Sequence, residues 1–436
     1  MTQVDKDGVC INVRDYGTMH HSDPEEVLKY NKETELIIQY FPMTDRDLPG
    51  IVTLDPGSSF CLWNGGFRPR GSAWSAAGGE MNVEGPGWVK PDKHLVSKTT
   101  VIQGDAVAYF SWFLDNFGHV MHDNLPVVAW LRSSVPDHVK FILPNTGVYR
   151  SIIEFLDPEF FAERVVWADY GEEIKVEGGT LTVAVGDRDH PIIMGNNLMK
   201  HLRNWIQETH PRYVVPPSER TVVFYTRGSL SGHRASHGRV VSADHERNVL
   251  ALVEAKMKEH NKSEHLVVFD GQDKAGNTLS ILEQFRIFRT ATSVIGPHGS
   301  GLPNLVWTDP APENCDERTK VLEFIPGSDS PQVQNFAYRG YYVVMRGLPL
   351  DWNQITYAAN STSETTFIRL PDLAMALDAM WGPEEGRGEA EGSSGEELVE
   401  GEEGTEENHI QGEENSVVQG ALEEAPVEGE VLTATE

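Results

Sequence analysis

The chain has 436 residues, 39% hydrophobic and 9% aromatic, enough to bury a core spread over two or more domains. Its formal charge of −30, from 36 basic and 66 acidic side chains, excludes a protein that works by laying positive charge on nucleic acid or an anionic membrane. Three scattered cysteines, Cys10, Cys61 and Cys315, exclude a disulfide scaffold and a cysteine zinc site, and leave at most one bridge.

In chain order, the opening MTQVDKDGVCINVRDYG has no apolar run of the kind a secretory signal needs. Residues 1–95 are rich in Gly, Pro and Asp and read as irregular structure with a few strands, one of them over Glu35–Phe41. Val101-Ile102 leads into a predicted helix from Asn116 to Arg132. Strands follow at Val139–Leu143, Val165–Trp167 and Leu181–Val185, and helices at Gly147–Leu156 and Asn196–Glu208. Pro216-Pro217 reads as a boundary. Beyond it strands at Thr221–Tyr225, His265–Phe269, Ser293–Ile295, Val321–Ile325 and Tyr341–Met345 alternate with helices at Glu246–His260, Thr278–Arg289 and Gly301–Trp307. A last helix covers Pro371–Trp381. Alternating β and α with short links predicts an α/β fold of parallel sheets covered on both faces, in two halves with a cleft between them.

From Pro383 to Glu436 there are 18 Glu, one Arg, no Asp, no Lys and no aromatic residue, so this segment carries −17 of the net charge. It cannot bury enough apolar surface to offset its ordering entropy and is expected to be a disordered acidic tail. No stretch of 18 apolar residues occurs, so no membrane-spanning helix is expected. The expected division is therefore 1–95, 96–215, 216–350, a closing segment at 351–382, and the tail at 383–436.

Three clusters could carry chemistry. The first is Ile295-Gly-Pro-His-Gly-Ser-Gly301, a glycine-rich loop between a strand and a predicted helix. It reads as an anion cradle with His298 as an added donor, or as a tight turn whose histidine satisfies a backbone carbonyl. The second is Arg227, Arg234 and Arg239 after the Thr221–Tyr225 strand: guanidinium forks that suit a diphosphate, or surface cations. The third is Asn116, His119 and Asp123 at i, i+3 and i+7, with His122, set among Trp112, Phe113, Leu125 and Trp130. A carboxylate beside a histidine serves as a general base, or as part of a buried hydrogen-bonded network. The spacing is not that of a metal site by default. Asp45-Arg-Asp47 and Asp187-Arg-Asp189 could hold a divalent cation, though such triplets read first as surface turns.

Taken together, Asn116-Phe-Gly-His119 with Asp123-Asn-Leu-Pro126, the Arg227–Arg239 segment, Gln284-Phe-Arg-Ile-Phe-Arg-Thr-Ala291, Gly296-Pro-His-Gly-Ser-Gly-Leu-Pro-Asn304 and Leu322-Glu323-Phe-Ile-Pro326 resemble glycosyltransferase family 61 over about residues 100–350. That family includes plant xylosyltransferases, the EGF-domain O-GlcNAc transferase and an O-mannose N-acetylglucosaminyltransferase. The resemblance implies a GT-B architecture, two Rossmann-like domains facing across a cleft. It implies inverting transfer from a UDP-sugar, of the UDP-GlcNAc or UDP-xylose class, to a hydroxyl of a glycan or glycoprotein acceptor. It also implies no metal or other cofactor, no nucleic-acid partner, and a place in the Golgi or ER.

Carried onto this chain, the resemblance gives Asp123, His119 and His122 as catalytic residues, with Asn116 as acceptor-side support. Arg227, Arg239, His298, Gly299, Ser300, Asn304 and Glu323 become donor-binding residues. The sequence departs from the pattern in showing no anchor, in Ser300 where Ala is usual, and in an insertion over Ala311–Thr319. Without a signal or anchor, a cytoplasmic location is the alternative. A non-catalytic sugar-nucleotide or glycan binder on the same fold is the rival reading of function.

Overall fold

Runs of consecutive β-branched and aromatic residues cannot alternate a wet and a dry face, so they become strands buried on both sides. Thr221–Tyr225 is buried at every position, and Lys140–Pro144 at all but its first. A computed structural model describes residues 3–4, 10–11, 13–15, 50–64, 69–74, 96–110, 114–185, 196–211, 215–227, 242–308, 318–327, 348, 350–358 and 367–382. The chain divides into two units, Met1–Glu385 and Gly386–Glu436. All described residues lie in the first, and the expected tail from Pro383 lies outside them.

The strands are β1 (Gln3–Val4), β2 (Cys10–Ile11), β3 (Val13–Asp15), β4 (Gly50–Leu54), β5 (Ser59–Asn64), β6 (Pro69–Trp74), β7 (Lys98–Gln103), β8 (Ala106–Ala108), β9 (Lys140–Pro144), β10 (Val165–Ala168), β11 (Glu172–Glu177), β12 (Leu181–Val185), β13 (Thr221–Tyr225), β14 (His265–Phe269), β15 (Ala291–Pro297), β16 (Thr319–Gly327) and β17 (Leu350–Ala358). Helix α1 is α-helical over Phe117–His119, π-helical over Val120–Asn124 and α-helical again over Leu125–Ser134. It is followed by α2 (Gly147–Leu156), α3 (Pro158–Glu163), α4 (Asn196–Thr209), α5 (Ala243–Glu259), α6 (Ile281–Arg289) and α7 (Leu370–Trp381).

The N-terminal half is built on a sheet of order β10-β9-β8-β12-β4, parallel except for the edge strand β4. A second sheet, β6-β5-β11-β7, belongs to the same half. The C-terminal half is a sheet of order β14-β13-β15-β16-β17-β3, parallel throughout. In each parallel sheet the chain winds outward from a first strand and then returns to that strand's other side. The reversal falls between β8 and β12 in one sheet and between β13 and β15 in the other. Open α/β sheets form crevices at the carboxyl ends of such strand pairs. β8 leads into α1, and β13 and β15 lead into Arg227 and the glycine loop. The described residues of all three clusters therefore arise at the two reversal points.

The halves are tied by aromatic packing. Phe155 of α2 meets Phe285 of α6 at 5.2 Å and Trp307 at 5.8 Å, centroid to centroid. Arg289, 3% exposed, donates to the carbonyls of His210 and Pro211 at 2.6 and 3.1 Å and of Thr308 at 3.4 Å, fixing the crossing between halves.

Two predicted helices differ in form. The one over Asn116–Arg132 is broken by the π segment. Pro126 has no N–H for the His122 carbonyl and its ring crowds that turn, so the backbone widens just before it. The one after Gly301 is a 3₁₀-helix, Leu302–Trp307, closed by i→i+3 bonds such as Asn304 N to Gly301 O at 3.2 Å. The chain around Val101-Ile102 is strand β7. The strands expected at Glu35–Phe41 and Tyr341–Met345 lie outside the described residues.

Asp157 holds the N-terminal half together. It is 8% exposed, caps α3 at the Phe160 N–H (2.9 Å), accepts from Trp205 Nε1 (2.9 Å) and pairs with Arg132 at 3.3 Å. Replacing it with Ala leaves a buried indole N–H and an arginine without that acceptor. Asp157→Ala is expected to cost about 3 kcal/mol, read as a fall in the urea unfolding midpoint.

Candidate functional site

Helix α1 begins where β8 ends. Asn116 caps it, its Oδ1 accepting the His119 N–H at 3.4 Å. The π segment then turns His119, His122 and Asp123 toward one another. His119 Nδ1 lies 2.6 Å from Asp123 Oδ2, and His122 Nδ1 lies 2.8 Å from Asp123 Oδ1. The two imidazoles sit 5.0 Å apart, centroid to centroid. Wide π turns leave carbonyls in need of donors. Tyr109 OH donates to the Asp123 carbonyl at 3.1 Å, and Asn124 Nδ2 to the His119 carbonyl at 3.2 Å.

Exposure separates the three side chains. Those of Asp123 and His122 are 1% and 4% exposed, and that of His119 is 23% exposed. Burial is the largest influence on the Asp123 carboxyl and pushes its pKa up, but the two histidines outweigh it and hold it down at about 2. The carboxylate is therefore ionised at neutral pH.

Across from α1, the loop after β15 is shaped by Tyr225 at the end of β13. Side chains at Gly299 or Gly301 would strike the Tyr225 ring, and Gly301 N–H donates to the Tyr225 hydroxyl at 3.3 Å. Arg227 Nη1 donates to the His298 carbonyl at 3.2 Å. The His298 N–H goes to the Phe324 carbonyl at 2.9 Å, and His298 Nδ1 lies 2.6 Å from Glu323 Oε1. The histidine thus engages a buried carboxylate on the neighbouring strand rather than the backbone carbonyl that a simple turn would need. Asn304 is 1% exposed; its Nδ2 donates to Gly301 O at 3.1 Å and to Gln284 Oε1 at 3.0 Å.

The two constellations meet. A Cβ added at Gly118 would lie 3.2 Å from the Ser300 Cβ, a tight contact, so glycine at this position eases the close approach of the head of α1 to the loop. The structure therefore brings Asn116, His119, His122 and Asp123 to one side of a seam, and Arg227, His298, Gly299, Ser300, Asn304 and Glu323 to the other. Arg234, Arg239, Asp45, Asp47, Asp187 and Asp189 lie outside the described residues. Sequence reading missed Tyr225 as the support of the loop, although it directly precedes Thr226-Arg227 in the motif. It also missed Gln284, whose only signal was its place in the quoted motif.

Among the described residues, two groups have potential metal-ligating atoms within 4.8 Å of one another: His119, His122 and Asp123, and Glu259, His260 and Asp378. In the first, each imidazole Nδ1 already faces one carboxylate oxygen, so the groups satisfy one another. In the second, Lys256 Nζ lies 2.7 Å from Asp378 and supplies the positive charge itself. Cys61 is buried and free, its pKa pushed up to about 11 by burial and by Glu173 and Glu172, so it stays a neutral thiol.

The Asp123 shift has a sign that can be tested. A folded-state pKa of about 2 against the ordinary 3.8 means the unfolded chain binds the proton more readily. The stabilisation is complete above about pH 4 and is lost as pH falls through 2. Wild type should exceed Asp123→Asn by about 2 kcal/mol more at pH 5 than near pH 2, measured by urea unfolding at each pH.

No curated protein matches the chain. Among solved structures, E. coli heptosyltransferase WaaC with ADP-2-deoxy-2-fluoro heptose matches at 12% identity, covering 64% of this chain and 98% of that one, with a TM-score of 0.28. A likeness that slight carries no argument. The family model described as Glycosyltransferase 61 matches residues 117–322, a span that opens at the head of α1 and closes one residue before Glu323. That span, just under half of the chain, holds both constellations but for Asn116 and Glu323, and over it the sequence matches glycosyltransferase family 61.

Proposed function

We propose that this glycosyltransferase is a GT-B enzyme that moves a sugar from a UDP-sugar, of the UDP-GlcNAc or UDP-xylose class, to a hydroxyl of a glycan or glycoprotein acceptor, with inversion and without a metal. The observation that carries the reading is the seam: an Asp-bridged histidine pair on α1 faces, through Gly118 and Ser300, a loop held by Arg227 and the His298–Glu323 pair.

In this reading His119 is the base. The sequence reading gave that role to Asp123 with His119 or His122 assisting, but a carboxylate 1% exposed with an imidazole on each oxygen is placed to orient rings rather than to meet an alcohol. Holding the proton on His119 Nδ1 leaves Nε2 as the acceptor nitrogen. The acceptor oxygen attacks C1, its proton passes to His119, and the C1–O bond to the diphosphate breaks. Negative charge then builds on the leaving diphosphate. Arg227, with Arg239 as a second cation, stabilises it, and a loop already braced by Tyr225 does so without reorganising. Glu323 and Asn304 complete the donor side, with His122 as the second ring steadying Asp123. Family membership favours a secretory compartment; no helix among the described residues is long and apolar enough to cross a membrane.

His119→Ala should lower kcat by about 10²–10⁴-fold with the donor KM little changed. Arg227→Ala should weaken donor binding as well, read as a smaller thermal shift with UDP-sugar. Activity that persists in EDTA supports the metal-free part; loss restored by a divalent cation would overturn it. UDP-sugar binding without transfer to any glycan or peptide hydroxyl would overturn the enzyme reading.

A further inference from the structure

Beside the seam lies a pocket of about 500 Å³ between α2 and the start of α6. Both elements begin at the carboxyl edges of their sheets, α2 after β9 and α6 after the loop that follows β14. The walls are aliphatic and aromatic: Val148, Phe155, Leu279, Ile281 and Leu282. Leu282 is 42% exposed and lines the pocket. Polar side chains come from Ser151, Glu154, Thr278, Ser280 and Gln284.

The pocket is continuous with the proposed site through two of its lining residues. Phe117 stands between the cap Asn116 and Gly118, two residues from His119. Gln284 accepts from Asn304 of the donor side. A group bound here therefore lies against the head of α1, where the acceptor hydroxyl must approach.

We propose that this pocket is an acceptor subsite that takes an apolar side chain of a polypeptide next to the hydroxyl being glycosylated. The inference rests on the transferase reading above. Against Val148, Phe155, Leu279, Ile281 and Leu282 an apolar side chain gains by burial, where the hydroxyls of a sugar ring would lose water. The volume suits one or two side chains. The two serines, the threonine, the glutamate and the glutamine among the lining residues suit the backbone N–H and C=O groups that accompany a side chain, and an alkyl lipid would leave them unused.

The test compares binding to the full chain of two short serine-containing peptides, identical except that Phe next to the serine in one is Gln in the other. Octyl glucoside serves as the lipid-like probe, and all three are measured by titration NMR. The Phe peptide should bind about tenfold more tightly than its Gln partner. Leu282→Asp should erase that preference and Leu282→Met should keep it. Equal binding of the peptides, or a preference that survives Leu282→Asp, overturns the proposal. So does octyl glucoside binding more tightly than the Phe peptide. UDP-sugar binding by the wild type is measured separately; its absence would remove the transferase reading and leave the peptide result to stand or fall by itself.

Discussion

A carboxylate buried with an imidazole on each oxygen is costly to build, and much of α1 exists to build it. Desolvation opposes the charge on Asp123, and two short hydrogen bonds, at 2.6 and 2.8 Å, outweigh that opposition. Those bonds need His119 and His122 on the same side of the backbone as Asp123, at offsets of four and one residues. The π segment accommodates both, because each of its turns holds more residues than an α-turn. Tyr109 and Asn124 then satisfy the widened turn. The winding that Pro126 imposes thus serves the carboxylate, and it sets which imidazole is more exposed.

The second constraint is topological. Each parallel sheet reverses its winding once, and each reversal opens a place beside a strand's carboxyl end where no connecting helix lies. In the N-terminal sheet that place is filled by the head of α1. In the C-terminal sheet it lies between Tyr225-Thr226-Arg227 and the Gly296–Gly301 loop. Thr226 donates to Glu246 of α5 and so fixes the turn that presents Arg227. Arg289 and the Phe155–Phe285–Trp307 contacts hold the two edges in register. Gly118 against Ser300 follows from this arrangement rather than causing it.

Most strands and helices were legible because their signals are local. Gly147–Leu156 places Tyr149, Ile152, Ile153 and Leu156 on one face, and Thr221–Tyr225 is apolar throughout, so their bounds follow from the residues themselves. Ala106–Ala108 was illegible because three small residues carry no periodicity. Glu172–Glu177 alternates charge and apolar side chains in a way equally compatible with a surface turn. Val13–Asp15 joins the far sheet through pairing with Trp352–Gln354, a contact that no local pattern encodes. The site residues were legible as types, since histidine beside aspartate among aromatics is conspicuous. Their division of labour was not, because it depends on exposure: 1% for Asp123 against 23% for His119.

On the proposed reading, an acidic protein that grips a diphosphate must keep its own carboxylates from repelling it. Outside the tail the chain still carries −13, and three of the buried acidic side chains near the seam are engaged. Asp123 lies between two histidines, Glu323 against His298, and Glu246 against Thr226. In a low-dielectric seam such pairing confines each negative charge to its partner, so Arg227 can dominate the field that an approaching phosphate meets. The same pairing keeps Asp123 ionised and so gives the more exposed imidazole a fixed orientation. On the proposed reading, one arrangement therefore meets both demands of glycosyl transfer: a base held ready on one side of the seam and the Arg227 guanidinium on the other.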